Sequence, residues 1–262
     1  MEIRSSVRSC LNRHSAKNGL ALKRKKWDGQ RETLDDLNEA VNYNHWIYQN
    51  TEPHLGKRVL EVGCGTGNIT GFLAQGRKVL AVDIHAGYLT EAQKRWGKHK
   101  SVQFQKFNLE KGLRAFKTFR PDTIISVNVL EHIETDQAFL KESLKLLPEG
   151  GRILIFVPAF QWLFGSMDAS YGHHRRYSKK SLNEKLKKAG FEVQNSRYLN
   201  LLGILGWWLN GKILKRKIIP KGQMLLYDRI LRFVVPVERF LPKPIGLSLL
   251  SVGVKPPTAR SK

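Results

Sequence analysis

Short apolar runs alternate along this chain with longer segments in which apolar residues recur every three or four positions. The runs at 59–62 and 152–157 read as strands buried on both faces, and 78–83, 102–107 and 123–128 as further strands between them. Between them, 68–74, 89–96 and 135–147 carry the helical period, and 149–151 is a turn. Segment 178–189 is a further helix with Leu182, Leu186 and Ala189 on one face and Gly190 closing it. This alternation requires crossover connections, and therefore an α/β fold whose doubly wound, mostly parallel sheet is covered on both sides. Two more strands are expected at 191–199 and 247–255, completing seven. The stretch between them, 202–246, is too long for a hairpin loop and reads as a helical insert. It starts within the uncharged run 198–211, which holds Trp207 and Trp208. It ends in an amphipathic helix around Tyr227, Ile230, Leu231 and Val234. Upstream, a helix over 34–49 is predicted from Leu34, Leu37, Val41 and Tyr48, with Thr33 as cap and Asp36 three residues on.

Charge changes the picture. Of 262 residues 45 are Lys or Arg against 22 acids, a formal +23, which favours polyanionic partners such as nucleic acid, an anionic membrane face or a phosphorylated substrate. The insert holds nine basic residues and two acids. The first 26 residues hold eight basic residues and one acid without an apolar segment, so they do not read as a secretory signal. Residues 1–32 are expected to be a disordered basic arm and 33–262 one domain. Two cysteines, Cys10 and Cys64, exclude a disulfide framework and a cysteine metal site. With no uncharged apolar stretch of about 18 residues, a cytoplasmic protein is expected, with membrane contact at most peripheral.

The chemistry concentrates after strands. Gly63, Gly65 and Gly67 alternate directly after the first strand, and Glu61 lies two residues before them. Such glycines let the backbone turn sharply and approach a ligand. The third glycine of a dinucleotide loop would fall at position 68, which is Asn68. Asp83 ends the second strand 20 residues after Gly63, where a carboxylate can accept both hydroxyls of a ribose. After the fourth strand comes S-V-N-V-L-E-H-I, in which His132 is a candidate general base and Glu131 either part of the site or a cap. After the fifth, the cluster Y-G-H-H-R-R-Y places His173, His174, Arg175, Arg176 and Tyr177 on one loop, suited to a carboxylate or phosphate. No Asp, Glu or Cys shares ligand spacing with His173 and His174, so no metal site is expected.

From about residue 42 to 189 these motifs resemble a class I S-adenosylmethionine-dependent methyltransferase of the type-11/12 branch, similar to ubiquinone-pathway enzymes. E-V-G-C-G-T-G, Asp83, L-E-H-I and L-P-E-G-G-R-I-L-I carry the resemblance. It implies a Rossmann-like fold, S-adenosyl-L-methionine as cofactor, and in-line attack by an acceptor atom on the sulfonium methyl. It also implies cofactor contacts from Glu61, Gly63, Cys64, Gly65, Gly67, Asp83, Ile84, Asn108, Leu109, Asn128 and Val129. Tyr43 and Asn44, on a helix that covers the ligand in such enzymes, are implied acceptor contacts beside Arg175, Arg176 and Tyr177; His132, His173 and His174 are the candidate catalytic groups. The expected acceptor is a small or lipid-like molecule bearing an anionic group. Peripheral contact of the insert with an anionic membrane is the accompanying expectation. The alternatives are an RNA methyltransferase, favoured by the net charge, and a non-catalytic module that keeps the cofactor fold. N-P-P-Y is absent after the fourth strand, against amino methylation of bases.

Overall fold

Continuous apolar runs become strands here because both faces of the sheet are covered. The computed structural model describes residues 37–238 and 244–258. Strands β1 (Arg58–Val62), β2 (Lys78–Asp83), β3 (Val102–Lys106), β4 (Thr123–Val127) and β5 (Arg152–Pro158) are all parallel. Strand β6 (Glu192–Leu199) lies at the edge, and β7 (Ser248–Val254) slots antiparallel between β5 and β6, giving the order β3-β2-β1-β4-β5-β7-β6. Successive residues of each strand alternate between two cores. Leu60, Val62, Leu80, Ile124 and Ile155 pack on one face, Val59, Val79, Ala81, Ile125 and Phe156 on the other. The order reverses between β1 and β4, which opens a crevice at their carboxyl ends, where ligands bind in open sheets of this kind.

The helices are α1 (Val41–Thr51), α2 (Thr70–Leu73), α3 (Ala86–Trp96), α4 (Asp136–Leu146), α5 (Ser166–Tyr171), α6 (Lys179–Ala189), α7 (Gly203–Trp208) and α8 (Lys221–Glu238). Local chemistry sets several ends. Ser178 accepts from the Ser181 backbone N–H to cap α6, and Gly190 closes it at φ 106°. Three expectations differ. The single helix over 34–49 is broken at Ala40, so α1 begins only at Val41, and Thr33 and Asp36 lie outside the described residues. Helix α5 was not predicted, being too short to show a period. The basic arm 1–32, with Cys10, also lies outside the described residues.

Between β6 and β7 run α7, a π-helical turn (Leu209–Ile213) and α8. This segment packs back on the body. Gly165 is required at its position, because a Cβ there would stand 2.8 Å from the Gly211 carbonyl oxygen. Ser166 Oγ donates to that same oxygen at 3.0 Å. Helix α1 has no side-chain cap of its own. Asp228 of α8 supplies one, accepting from the Tyr43 backbone N–H and from Asn42 Nδ2, both at 2.8 Å. Among the described residues no helix is long and apolar enough to cross a membrane.

Candidate functional site

The glycine loop leaves β1 with Gly63, Gly65 and Gly67 all at positive φ. Only glycine serves at position 63: φ is 69° and a Cβ would come within 2.3 Å of Val129 Cγ2. Asp83 ties the loop down. Its two carboxylate oxygens accept the backbone N–H groups of Gly65 (2.9 Å) and His85 (2.8 Å). Each oxygen keeps a second lone pair, so hydroxyl donors remain acceptable. Ile84, just beyond, is 49% exposed and offers an apolar surface beside it. Glu61 is buried and accepts from Thr70 Oγ1 at 2.6 Å. Burial pushes its carboxyl up to about 8 against the Thr70 hydrogen bond, and a cationic ligand group alongside would reverse that shift. Cys64 is buried too, its thiol raised chiefly by burial and then by Glu61 and Asp83. These features fit a nucleoside bearing a cationic amino-acid end. Asn108 has a local role as well: its Oδ1 accepts from the Glu110 N–H and its Nδ2 donates to that carboxylate.

Beyond Asn128, at φ 52°, a cavity of about 410 Å³ opens between the body and the 202–246 segment. Its outer walls are apolar and come from Leu202, Trp207, Met224, Leu226 and Ile230; Tyr43 of α1 closes one side. Burial raises the Tyr43 hydroxyl to about 12, although a hydrogen bond to Ser248 opposes this. The inner end is polar. Glu131 is fully buried there, and neither of its carboxylate oxygens has a hydrogen-bond partner. Burial raises it to about 7, with His173 and Arg176 pulling the other way. His132 stands edge-on to His173, ring centroids 4.7 Å apart, and burial followed by the neighbouring His173 lowers it to about 4.

Asp168 of α5 anchors this end. It accepts from His173 Nδ1 at 2.8 Å, Arg176 Nε at 2.7 Å, the Gly165 N–H at 2.9 Å and Trp207 Nε1 at 3.2 Å. Burial raises its carboxyl, but His173 and Arg176 outweigh this and hold it below the ordinary range. The Arg176 guanidinium also lies 4.6 Å over the Trp207 ring, and its Nη2 is buried with no partner.

Several expectations are corrected. Arg175 does not line the cavity, because it pairs with Asp136 at 2.9 Å and donates to the Glu134 carbonyl. Tyr177 is buried, its hydroxyl donating to Asp136 at 2.9 Å and held near the Leu130 carbonyl. Asn44 is buried and donates to the Leu37 carbonyl, so it too is structural. His174 is exposed and outside the cavity. No acid shares ligand spacing with His173 and His174 along the sequence, but the fold brings Glu131 and His132 to His173, with ligand atoms from all three within 4.8 Å of one another. Asp168 was missed, although an isolated acid in an apolar stretch five residues before His173 is a usable signal.

The sequence profile of the methyltransferase-domain family matches residues 30–196. An uncharacterised protein of Synechococcus is 37% identical over 114 residues, 41% of this chain and only 27% of that protein. A ubiquinone biosynthesis O-methyltransferase of Nitrosococcus oceani is 27% identical over 187 residues, 64% of this chain and 77% of its own length. Among solved structures, phosphoethanolamine N-methyltransferase 2 of Haemonchus contortus, in complex with S-adenosyl-L-methionine, shares the fold at a TM-score of 0.54 and 18% identity. That match covers 78% of this chain and 49% of the other. Matched over more than half of its length by that family's profile, the chain belongs to the methyltransferase-domain family and is an S-adenosylmethionine-dependent methyltransferase with the class I fold.

Proposed function

We propose that the protein methylates an oxygen of an apolar, lipid-like acceptor that enters from the face formed by segment 202–246. The observation that carries this reading is the cavity wall. Leu202, Leu226 and Ile230 line the cavity and are also 52%, 58% and 41% exposed, so apolar surface runs from the interior out to the protein's exterior. Lys212, Lys215, Arg216, Lys217 and Lys221 are exposed in the same segment, beside exposed Trp208, Ile213, Leu214 and Phe233. Cations interleaved with apolar side chains suit peripheral contact with an anionic bilayer better than a nucleic-acid groove. The relative named for O-methylation in ubiquinone biosynthesis supports oxygen as the attacking atom. Of the two arginines expected to meet an anionic acceptor group, Arg175 is engaged with Asp136, whereas Arg176 lines the cavity, paired with Asp168 through Nε and with Nη2 unpartnered.

S-adenosylmethionine, when bound, supplies a methyl group activated by a sulfonium centre, which departs as a neutral thioether. The chain's own part is alignment and exclusion of water, worth several kcal/mol in such reactions. Asp83 and the glycine loop fix the nucleoside end, and Glu61 meets the amino-acid end. The apolar walls hold the acceptor body while its hydroxyl faces Glu131, His132 and His173. Incubation with methyl-labelled S-adenosylmethionine and, separately, a total lipid extract, a water-soluble metabolite extract or RNA tests the reading. Label is expected in the lipid fraction. Label confined to RNA or to water-soluble products would overturn it.

A further inference from the structure

We infer that Glu131, His132 and His173 form a binding site for one divalent transition-metal cation at the inner end of the cavity. The ligand atoms come from two chain segments that meet only in the fold, the turn after β4 and the loop after α5. Two imidazoles and one carboxylate are a donor set suited to zinc, iron, cobalt or manganese.

Three observations point to a cation. First, Glu131 is fully buried with both oxygens unpartnered, a costly arrangement for a carboxylate unless a positive group meets it. His173 Nε2 stands 3.9 Å from Glu131 Oε1, too far for a hydrogen bond. Second, the imidazoles are set by contacts of their own. His173 Nδ1 is held by Asp168 at 2.8 Å, which turns Nε2 toward Glu131, and His132 stands edge-on to His173 with ring centroids 4.7 Å apart. Carboxylate or carbonyl partners on the far nitrogen are the usual outer support of metal-ligating histidines. Third, Asp168 is itself fixed by Arg176, Trp207 and the Gly165 N–H, so this support is rigid. An ion about 2.1 Å from each donor needs donors about 3.4 Å apart. In this structure the donors stand within 4.8 Å of one another.

The consequence rests on the proposed acceptor: a hydroxyl placed beside this ion would give up its proton to water more readily. The binding itself does not depend on that reading. Chelator-treated, tag-free protein is titrated with Co²⁺, following visible absorption and calorimetry, with binding of the demethylated cofactor product as a check on folding. One equivalent with ligand-field bands is expected. Glu131→Gln and His173→Gln should weaken it at least tenfold, and Asp168→Asn about tenfold or more. His174→Ala, outside the cluster, should leave it unchanged. If Glu131→Gln does not fold, His132→Gln serves as the second ligand variant. No stoichiometric binding, or binding indifferent to these variants or lost in His174→Ala, overturns the inference. Metal binding without methylation of any lipid fraction would instead overturn the acceptor proposal alone.

Discussion

Asp83→Asn separates two roles that one carboxylate plays. The substitution keeps the shape but turns one oxygen into an NH₂ group. Both oxygens now accept backbone N–H groups, from Gly65 and His85, so the amide can satisfy one and must face the other with a donor. Losing a hydrogen bond to a charged group costs about 1.5–3 kcal/mol. For a domain of this size that corresponds to a fall in Tm of roughly 4–10 °C without any ligand. The same change weakens acceptance of ribose hydroxyls, and the loosened Gly65 no longer sits where the cofactor meets it. A Kd for S-adenosylmethionine raised about ten- to a hundredfold is expected. Differential scanning calorimetry and titration calorimetry, each with and without the demethylated product, read both effects. At a ligand concentration of about 100 Kd the wild type should gain about 2.7 kcal/mol, and the variant much less at the same concentration. An Asp83→Asn protein with unchanged Tm and unchanged Kd would refute the account of this loop. A lowered Tm with full affinity would leave Asp83 as a tether for the loop only.

Other expectations follow from the same side chains. Burial raises the Glu61 carboxyl to about 8, so the folded protein holds a proton that the unfolded chain releases near 4.5; this stabilisation is present below the lower value and lost as pH rises through 8. Thermal unfolding of Glu61→Gln between pH 5 and 8.5 should therefore show a flatter pH profile, and a profile as steep as the wild type's would contradict it. Arg175→Met should leave the acceptor KM within about twofold while lowering Tm by a few degrees, because its partner is Asp136 rather than the cavity. Tyr177→Phe should do likewise at about 1–2 kcal/mol, and a selective rise in KM for either would restore them as acceptor contacts. Co-sedimentation with anionic vesicles should exceed that with neutral ones and fall with added salt. Lys215→Glu together with Lys217→Glu should reduce it strongly, at about 1 kcal/mol for each charge removed near the surface, and equal pelleting with both vesicle types would dismiss membrane contact.

The cofactor half of the site was legible because its chemistry is local: a strand, three glycines and an acid 20 residues on are fixed by backbone geometry. The central strands were legible for a related reason, since a strand covered on both faces must be apolar almost throughout; β3 and β6, at the two edges, are half polar and were legible from the alternation around them. The acceptor half was not. Y-G-H-H-R-R-Y announces a dense polar loop, but spacing does not say which side chains turn inward. Arg176 and His173 went to Asp168, Arg175 and Tyr177 to Asp136, and His174 to solvent. Glu131 read equally as part of the site or as a helix cap, because His173 lies some 40 residues away and is brought close only by β5 and α5. Trp207 and Trp208 read as a pair, yet the first is spent on Asp168 and Arg176 while the second is 40% exposed.

The Asp228 clamp on α1 makes two distant pieces of chain answer to each other. Helix α8 holds the amino end of α1, and directly before α1 Asn38 reaches the glycine loop by accepting from Thr66 Oγ1 at 3.0 Å. The wall of the acceptor cavity and the cover of the cofactor loop are thus successive links of one lever. Linkage fixes the sign of the traffic along it. If seating α8 against a bilayer or an acceptor tightens the cofactor by some factor, the cofactor must tighten that seating by the same factor. With such a coupling neither ligand would be held firmly until both are present, and methyl donor would be retained where acceptor is at hand and released where it is not.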